Sequence, residues 1–328
     1  MINTMQEMKS LTHDLSISTW TLAAVGALFT SGLAEELREP RTLDELAARR
    51  PGWPRGRIQR ILDVATLSGA VVAEGGKHRL AEGAACFAAP PMRTSMIGDV
   101  RSTLLQAVAL LDRAANQDFG GGWSHADPAL LQAQGDASSG LAGAFKMIIG
   151  PQLEGLAARL EQPGVRFLDV GVGVAALAIG MCRAFPTVSV VGVDAAEAPL
   201  AIARDRVAKA GLADRVELRR ASIEDLADDQ AFDLAWLPSF FITESALPRA
   251  LARLHTSLRE GGWIVMGTCA TKSADPRVRA NFALLNDLWG GPLLDAEQAE
   301  KLLKDAGFSA VRVVNGPPSA PMLIAGRR

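Results

Sequence analysis

The chain has 328 residues, 48% hydrophobic and 21% charged. That composition excludes general disorder and supplies more than one core, since a single domain commonly takes roughly 100–200 residues. Lys plus Arg number 34 against 36 Asp plus Glu, a net charge of −2, so no global basic excess draws the chain to nucleic acid or an anionic membrane. Cys86, Cys182 and Cys269 are too scattered for a metal site or a disulfide framework, which fits a reducing cytoplasm. There is no Tyr to act as a phenolic acid or base.

In chain order, residues 15–34 carry no charge and have the length of a membrane span. Ser16, Ser18, Thr19, Gly26 and Ser31 make the stretch too polar for one, so a buried or interface helix is expected. Residues 1–14 hold Glu7 and Asp14 and no basic cluster, which argues against a signal peptide. Thr42-Leu43-Asp44-Glu45 reads as a capped helix start. Ile58, Ile61, Leu62 and Ala65 then give a helical apolar face ending near Gly69. Residues 70–73 and 78–80 form a hairpin around Glu74-Gly75-Gly76-Lys77. Three helices followed by a hairpin is the winged-helix order.

Between 91 and 160 the pattern weakens. Residues 102–115 read as a helix, 119–128 as a Gly-rich loop, 135–143 as a small-residue stretch expected to be mobile, and 145–160 as a helix broken at Gly150-Pro151. From Val165 strands and helices alternate. Strands are expected at 165–170, 188–193, 216–219, 232–237, 263–267, 311–314 and 322–325, with helices at 175–185, 199–210, 247–258 and 296–306. Such alternation builds a parallel sheet covered by helices on both faces. The expected organisation is α/β, with an N-terminal mainly α domain over 1–90, a helical linker over 91–160 and a sheet domain over 161–328.

The segment most informative about chemistry is Asp169-Val170-Gly171-Val172-Gly173-Val174-Ala175, which leaves a hydrophobic strand and opens a helix. Its glycines allow a tight turn and close approach of a ligand. Alone the pattern is weak, and a dinucleotide site competes for it. Asp169, however, would repel a phosphate and welcome a cation. The next strand also ends on an acid, Asp194, which can hold both hydroxyls of a ribose. The bland alternative for both acids is helix capping or a surface ion pair.

This constellation resembles the class I S-adenosylmethionine-dependent methyltransferases over about residues 160–328. The resemblance implies a Rossmann-like, seven-stranded sheet and S-adenosyl-L-methionine as cofactor. It places Asp169, Gly171 and Gly173 around the amino-acid end of the cofactor, Asp194 on the ribose and Ala195 beside the adenine. It also places Ser222 and Ile223 at the adenine edge and face, and Leu237 and Pro238 near the methyl-bearing end. Ala175 replaces a family glycine, and Ser222 stands where many relatives have Asp. With the winged-helix region in front, the whole resembles the small-molecule O-methyltransferases of specialised metabolism. That implies a homodimer through the 15–29 helix, a small-molecule acceptor, and neither nucleic acid nor membrane as partner.

One departure bears on mechanism. The family's catalytic His and following Asp fall here on Ile242 and Thr243. His125, in the Gly-rich loop, and Glu244 are the substitutes at hand, each otherwise a solvated loop residue; His255 reads as structural. The missing His opens N-, S- or C-methylation, or a base-free transfer, and also a relative that uses the cofactor for decarboxylation, hydroxylation or ring closure. A winged-helix regulator of transcription is a third reading. Trp123, Phe145, Met147, Phe241 and Trp289 are the expected pocket walls, with Trp236, Phe240 and Phe282 also available and many of these serving as core. No His, Asp or Glu recur at metal-ligand spacing, so no metal is expected.

Overall fold

The computed structural model describes residues 2–118, 122–270, 273–316 and 321–328. The chain divides into two compact units, 1–108 and 109–328. The boundary falls inside the helix Met92–Ala115, so the expected 91–160 linker is shared between the units rather than forming a third.

In the first unit a long helix, Met5–Thr30, starts with a capping box in which Thr4 accepts from the Glu7 N–H and Glu7 accepts from the Thr4 N–H. The helices Leu43–Ala48 and Arg55–Leu67 follow. Strands β1 (Arg41–Thr42), β2 (Val71–Glu74) and β3 (Lys77–Leu80) form an antiparallel sheet in the order β1-β3-β2. The two-residue β1 is too short to leave a sequence pattern. Leu28, Phe29, Leu33, Leu46, Ile58 and Leu62 bury against one another as the core of this unit. The uncharged helix is thus only partly core: residues 2–20 are exposed throughout, partial burial begins at Thr21, and the first buried residue is Gly26.

In the second unit, among the described residues, β4 (Arg166–Val170), β5 (Ser189–Asp194), β6 (Val216–Arg220), β7 (Phe232–Pro238), β8 (Leu258–Thr268), β9 (Ser309–Val314) and β10 (Met322–Arg327) form one sheet in the order β6-β5-β4-β7-β8-β10-β9. Pairs β6–β5, β5–β4, β4–β7 and β7–β8 are parallel, and β10 runs antiparallel to both β8 and β9. Alternating residues of each central strand feed two cores. Phe167, Val190, Leu234 and Val265 pack on one face, and Leu168, Val191, Ala235 and Ile264 on the other. Strand order reverses between β4 and β7, so the crevice beyond their carboxyl ends is where such a sheet binds ligands.

At the opposite ends of the same strands sits a buried carboxylate. Asp233, 6% exposed, accepts from Arg159 Nε at 2.9 Å, Arg259 Nη1 at 2.7 Å and the Arg166 backbone N–H at 2.8 Å. It ties the start of β4 to the start of β7. Its guanidinium partners are half-exposed, so Asp233→Ala should cost about 2 kcal/mol rather than the larger loss of a fully buried pair. A thermal melt checks this, and no change in Tm would show the clamp to be idle.

Two expectations need correction. Residues 135–143, expected to be mobile, lie in ordered helical structure: the helix Pro128–Ala137, the turn Ser138–Gly140 and the helix Leu141–Ala144. Gly135 belongs to close packing rather than to flexibility, because a Cβ there would stand 2.2 Å from Val174 Cγ2. The second is an omission. The sequence pattern gives no expectation for the helix Pro276–Trp289, although Asp275 caps it through the Arg277 N–H and Pro276 occupies its first turn.

Candidate active site at the strand ends

The glycine segment leaves β4 and turns back over β5. The Val172 N–H donates to the Val193 carbonyl at 3.0 Å. Gly171 and Gly173 hold φ of +65° and +54°, a region in which side chains are strained. Ala175 keeps φ at +61° despite its methyl group, and the helix Ala176–Ala184 starts directly after it.

Asp194, at the last position of β5, holds this turn in place. Its Oδ2 accepts from the Gly173 N–H at 2.9 Å and its Oδ1 from the Ala196 N–H at 2.9 Å. Each oxygen retains a further lone pair. Burial raises the Asp194 carboxyl above the usual carboxylate range, and the two backbone N–H groups oppose that rise.

Asp169 lies on β4, paired in register with Gly192 of β5 and Trp236 of β7. It is 2% exposed, and its Oδ2 has no hydrogen-bond partner. Burial first, and the charge of Asp194 second, push its carboxyl up to about 8. Two carboxylates sharing a low-dielectric crevice with one oxygen unmet favour a positive charge between them.

The other expected contacts are placed as follows. Ala195 is exposed just beyond Asp194. Ser222 caps the turn Ile223–Asp225 by accepting from the Glu224 N–H at 3.3 Å, and Ile223 is buried. Pro238 ends β7 beside the glycine turn, its Cγ 3.6 Å from where a Gly171 Cβ would be. Leu237 points the other way, wholly buried in the core beneath the sheet, so it does not line the crevice.

Past β7 the chain forms an aromatic cluster. Ring centroids are 5.0 Å apart for Trp123 and Phe241, 5.1 Å for Phe241 and Trp289, 5.3 Å for Phe240 and Trp289, and 4.8 Å for Phe240 and Phe241. The His125 ring meets Trp123 edge-on at 4.7 Å. Burial, with Arg113 nearby, lowers the His125 pKa below the ordinary histidine value, while Asp127 opposes. Trp123, Phe241 and Trp289 therefore come together in one cluster. Phe145 and Met147 do not join them: Phe145 packs on Phe167 and Trp236 in the core, and Met147 is 75% exposed in the π-helical stretch Phe145–Ile149. Glu244 is exposed on the loop after β7. His255 stacks edge-on against Phe308, in keeping with a packing role. Asn286, 2% exposed on the helix Pro276–Trp289, is a buried polar residue that the sequence pattern does not single out.

Residues 167–262 match a family model described as a methyltransferase domain. Over 138 residues the chain is 30% identical to the release factor glutamine methyltransferase of Rhodopirellula baltica, covering 41% of this chain and 45% of that protein. It spans less than half the length of the curated relatives it matches. Likeness to solved structures runs the whole length. An O-methyltransferase family protein from Burkholderia thailandensis superposes with TM-score 0.60 at 16% identity, covering 100% of this chain and 99% of that one. CalO1, a methyltransferase in calicheamicin biosynthesis solved with SAH bound, gives TM-score 0.61 at 19% identity, covering 99% of each chain. No helix among the described residues is long and apolar enough to cross a membrane. Residues 167–262 thus match the methyltransferase-domain model, in a chain that has throughout the fold of these solved methyltransferases.

Proposed function

We propose that the protein transfers a methyl group from S-adenosyl-L-methionine to a planar small-molecule acceptor. The observation that carries this reading is the paired acids at the switch point: Asp169 with a buried, unmet oxygen, and Asp194 anchoring the glycine turn. Bound there, the cofactor supplies an electrophilic methyl group on a sulfonium. Asp194 has lone pairs left for two ribose hydroxyls. The unmet Asp169 oxygen suits the positively charged amino-acid end, and Ser222, Ile223 and Ala195 border the adenine. The aromatic cluster beyond Pro238 gives flat apolar walls that orient an acceptor, and holding the nucleophile in line supplies much of the acceleration.

Of the two substitute bases, His125 is the better placed. It adjoins the aromatic cluster and its lowered pKa keeps it neutral, able to take a proton, near pH 7. With a hydroxyl acceptor, His125→Ala should lower kcat by about 10²–10⁴-fold, whereas Glu244→Gln should leave it nearly unchanged. Turnover unaltered in the double variant would establish transfer without a base. The direct test of the function is calorimetric titration with S-adenosylmethionine and S-adenosylhomocysteine, followed by a screen of planar acceptors bearing O, N or S nucleophiles. Binding of neither compound would overturn the assignment.

We also infer a homodimer formed through the N-terminal helix, with the first unit a winged-helix domain, working in the cytoplasm on a specialised metabolite. Met5, Met8, Leu15, Ile17 and Trp20 are 74, 49, 58, 53 and 72% exposed on Met5–Thr30. Exposed over its first 16 residues, a helix is marginal in water without a partner surface. Deleting residues 2–20 should convert a dimer to a monomer in light scattering; a full-length monomer would refute the inference.

A further inference from the structure

The aromatic cluster has a polar anchor that no role above absorbs. Asn286 lies one turn before the end of the helix Pro276–Trp289 and is 2% exposed. Its Nδ2 donates to the Gly291 carbonyl at 2.5 Å, and the Gly291 N–H donates to the Phe240 carbonyl at 3.2 Å. The amide is thereby fastened to the turn that carries Phe240 and Phe241. Trp289, three residues further along the helix and so on the same side, packs its ring on both phenylalanines.

The Asn286 Oδ1 is buried and has no hydrogen-bond partner. Rotating the amide would not relieve it, because the oxygen would then face the Gly291 carbonyl, acceptor against acceptor. A buried acceptor left unmet is costly. The amide that carries it is fastened through Gly291 to the turn bearing Phe240 and Phe241, the rings that would hold a flat acceptor.

We propose that Asn286 is a specificity-determining residue whose side-chain oxygen accepts a hydrogen bond from an O–H or N–H of a planar aromatic ligand held by Phe240, Phe241 and Trp289. This rests on the reading of the cluster as the acceptor site. It selects ligands that carry a donor over isosteres in which that donor is absent or capped, since such a ligand leaves the oxygen unpaired.

The test uses three probes of the same ring system on the full-length protein: 2-naphthol, 2-methoxynaphthalene and naphthalene, titrated with and without S-adenosylhomocysteine and read by tryptophan fluorescence quenching. The wild type should bind 2-naphthol about 10–100-fold more tightly than the other two, and Asn286→Leu should abolish that preference while still binding naphthalene. Equal affinity of the wild type for all three, or no binding of any, overturns the proposal without needing a variant to fold. A preference that survives in Asn286→Leu, with only Tm lowered, also overturns it and leaves Asn286 as a strap for Gly291. Loss of S-adenosylhomocysteine binding with the naphthol preference intact would sink the methyltransferase reading and leave the Asn286 assignment standing.

Discussion

Asp194→Ala is expected to weaken S-adenosylhomocysteine binding by roughly 10²–10⁴-fold, the largest single loss from any side chain of the site. Two effects add. The variant removes a carboxylate offered to two ribose hydroxyls, and hydrogen bonds to a charged group contribute about 1.5–3 kcal/mol each. It also takes away the acceptors of the Gly173 and Ala196 N–H groups, so the glycine turn loses what orients it. Asp194→Asn separates the two. One amide oxygen can still accept a backbone N–H, but the charge is gone, and a loss of about 10–100-fold is expected. Calorimetric titration of wild type and both variants, with thermal melts to show that each is folded, makes the comparison. Affinity of Asp194→Ala within about threefold of wild type would remove Asp194 from the ribose site.

Much of this site is legible in the sequence. The strand–acid–glycine–helix run at 165–185 and the second acid at Asp194 share one feature: their chemistry is local. A positive φ favours glycine within the turn, and an acid at a strand end needs only its own strand. Alternating strands and helices likewise set the order of the sheet domain, because right-handed crossovers leave few other topologies. What was not legible depends on distant partners. Phe145 and Trp289 look alike as aromatic residues, yet one packs on Phe167 in the core and the other on Phe240 and Phe241 beyond β7. Gly135 looks like a loop residue until Val174, far along the chain, is placed against it. Leu237 and Pro238 are neighbours, but strand alternation turns one into the core and leaves the other beside Gly171. The helix Pro276–Trp289, with half-exposed Phe282 and buried Asn286, carries no clean apolar stripe. Its only sequence signal was the Asp275-Pro276 start.

Cofactor affinity is expected to rise with pH and level off near pH 8, and Asp169 is the group responsible. Its carboxyl is pushed up to about 8 by burial and by Asp194, so near neutral pH the free protein holds a proton there. A cation brought beside it favours the carboxylate, and binding must release that proton. Affinity for S-adenosylmethionine should therefore climb by up to about tenfold per pH unit below pH 8 and flatten above it. The stability of the ligand-free protein should run the opposite way. The folded carboxyl lies above its unfolded value, so the folded chain binds the extra proton, and stability falls as pH rises from about 4 towards 8. Added S-adenosylmethionine should offset that fall. Titrations from about pH 6 to about pH 9, in buffers of different ionisation enthalpy, read the released proton directly. Asp169→Asn should bind more weakly and lose most of the pH dependence, keeping the part that belongs to Asp194, whose carboxyl burial also raises. Affinity flat across that range in the wild type, with no proton released, would mean that Asp169 is already ionised in the free protein and that its unmet oxygen is not what draws the cation.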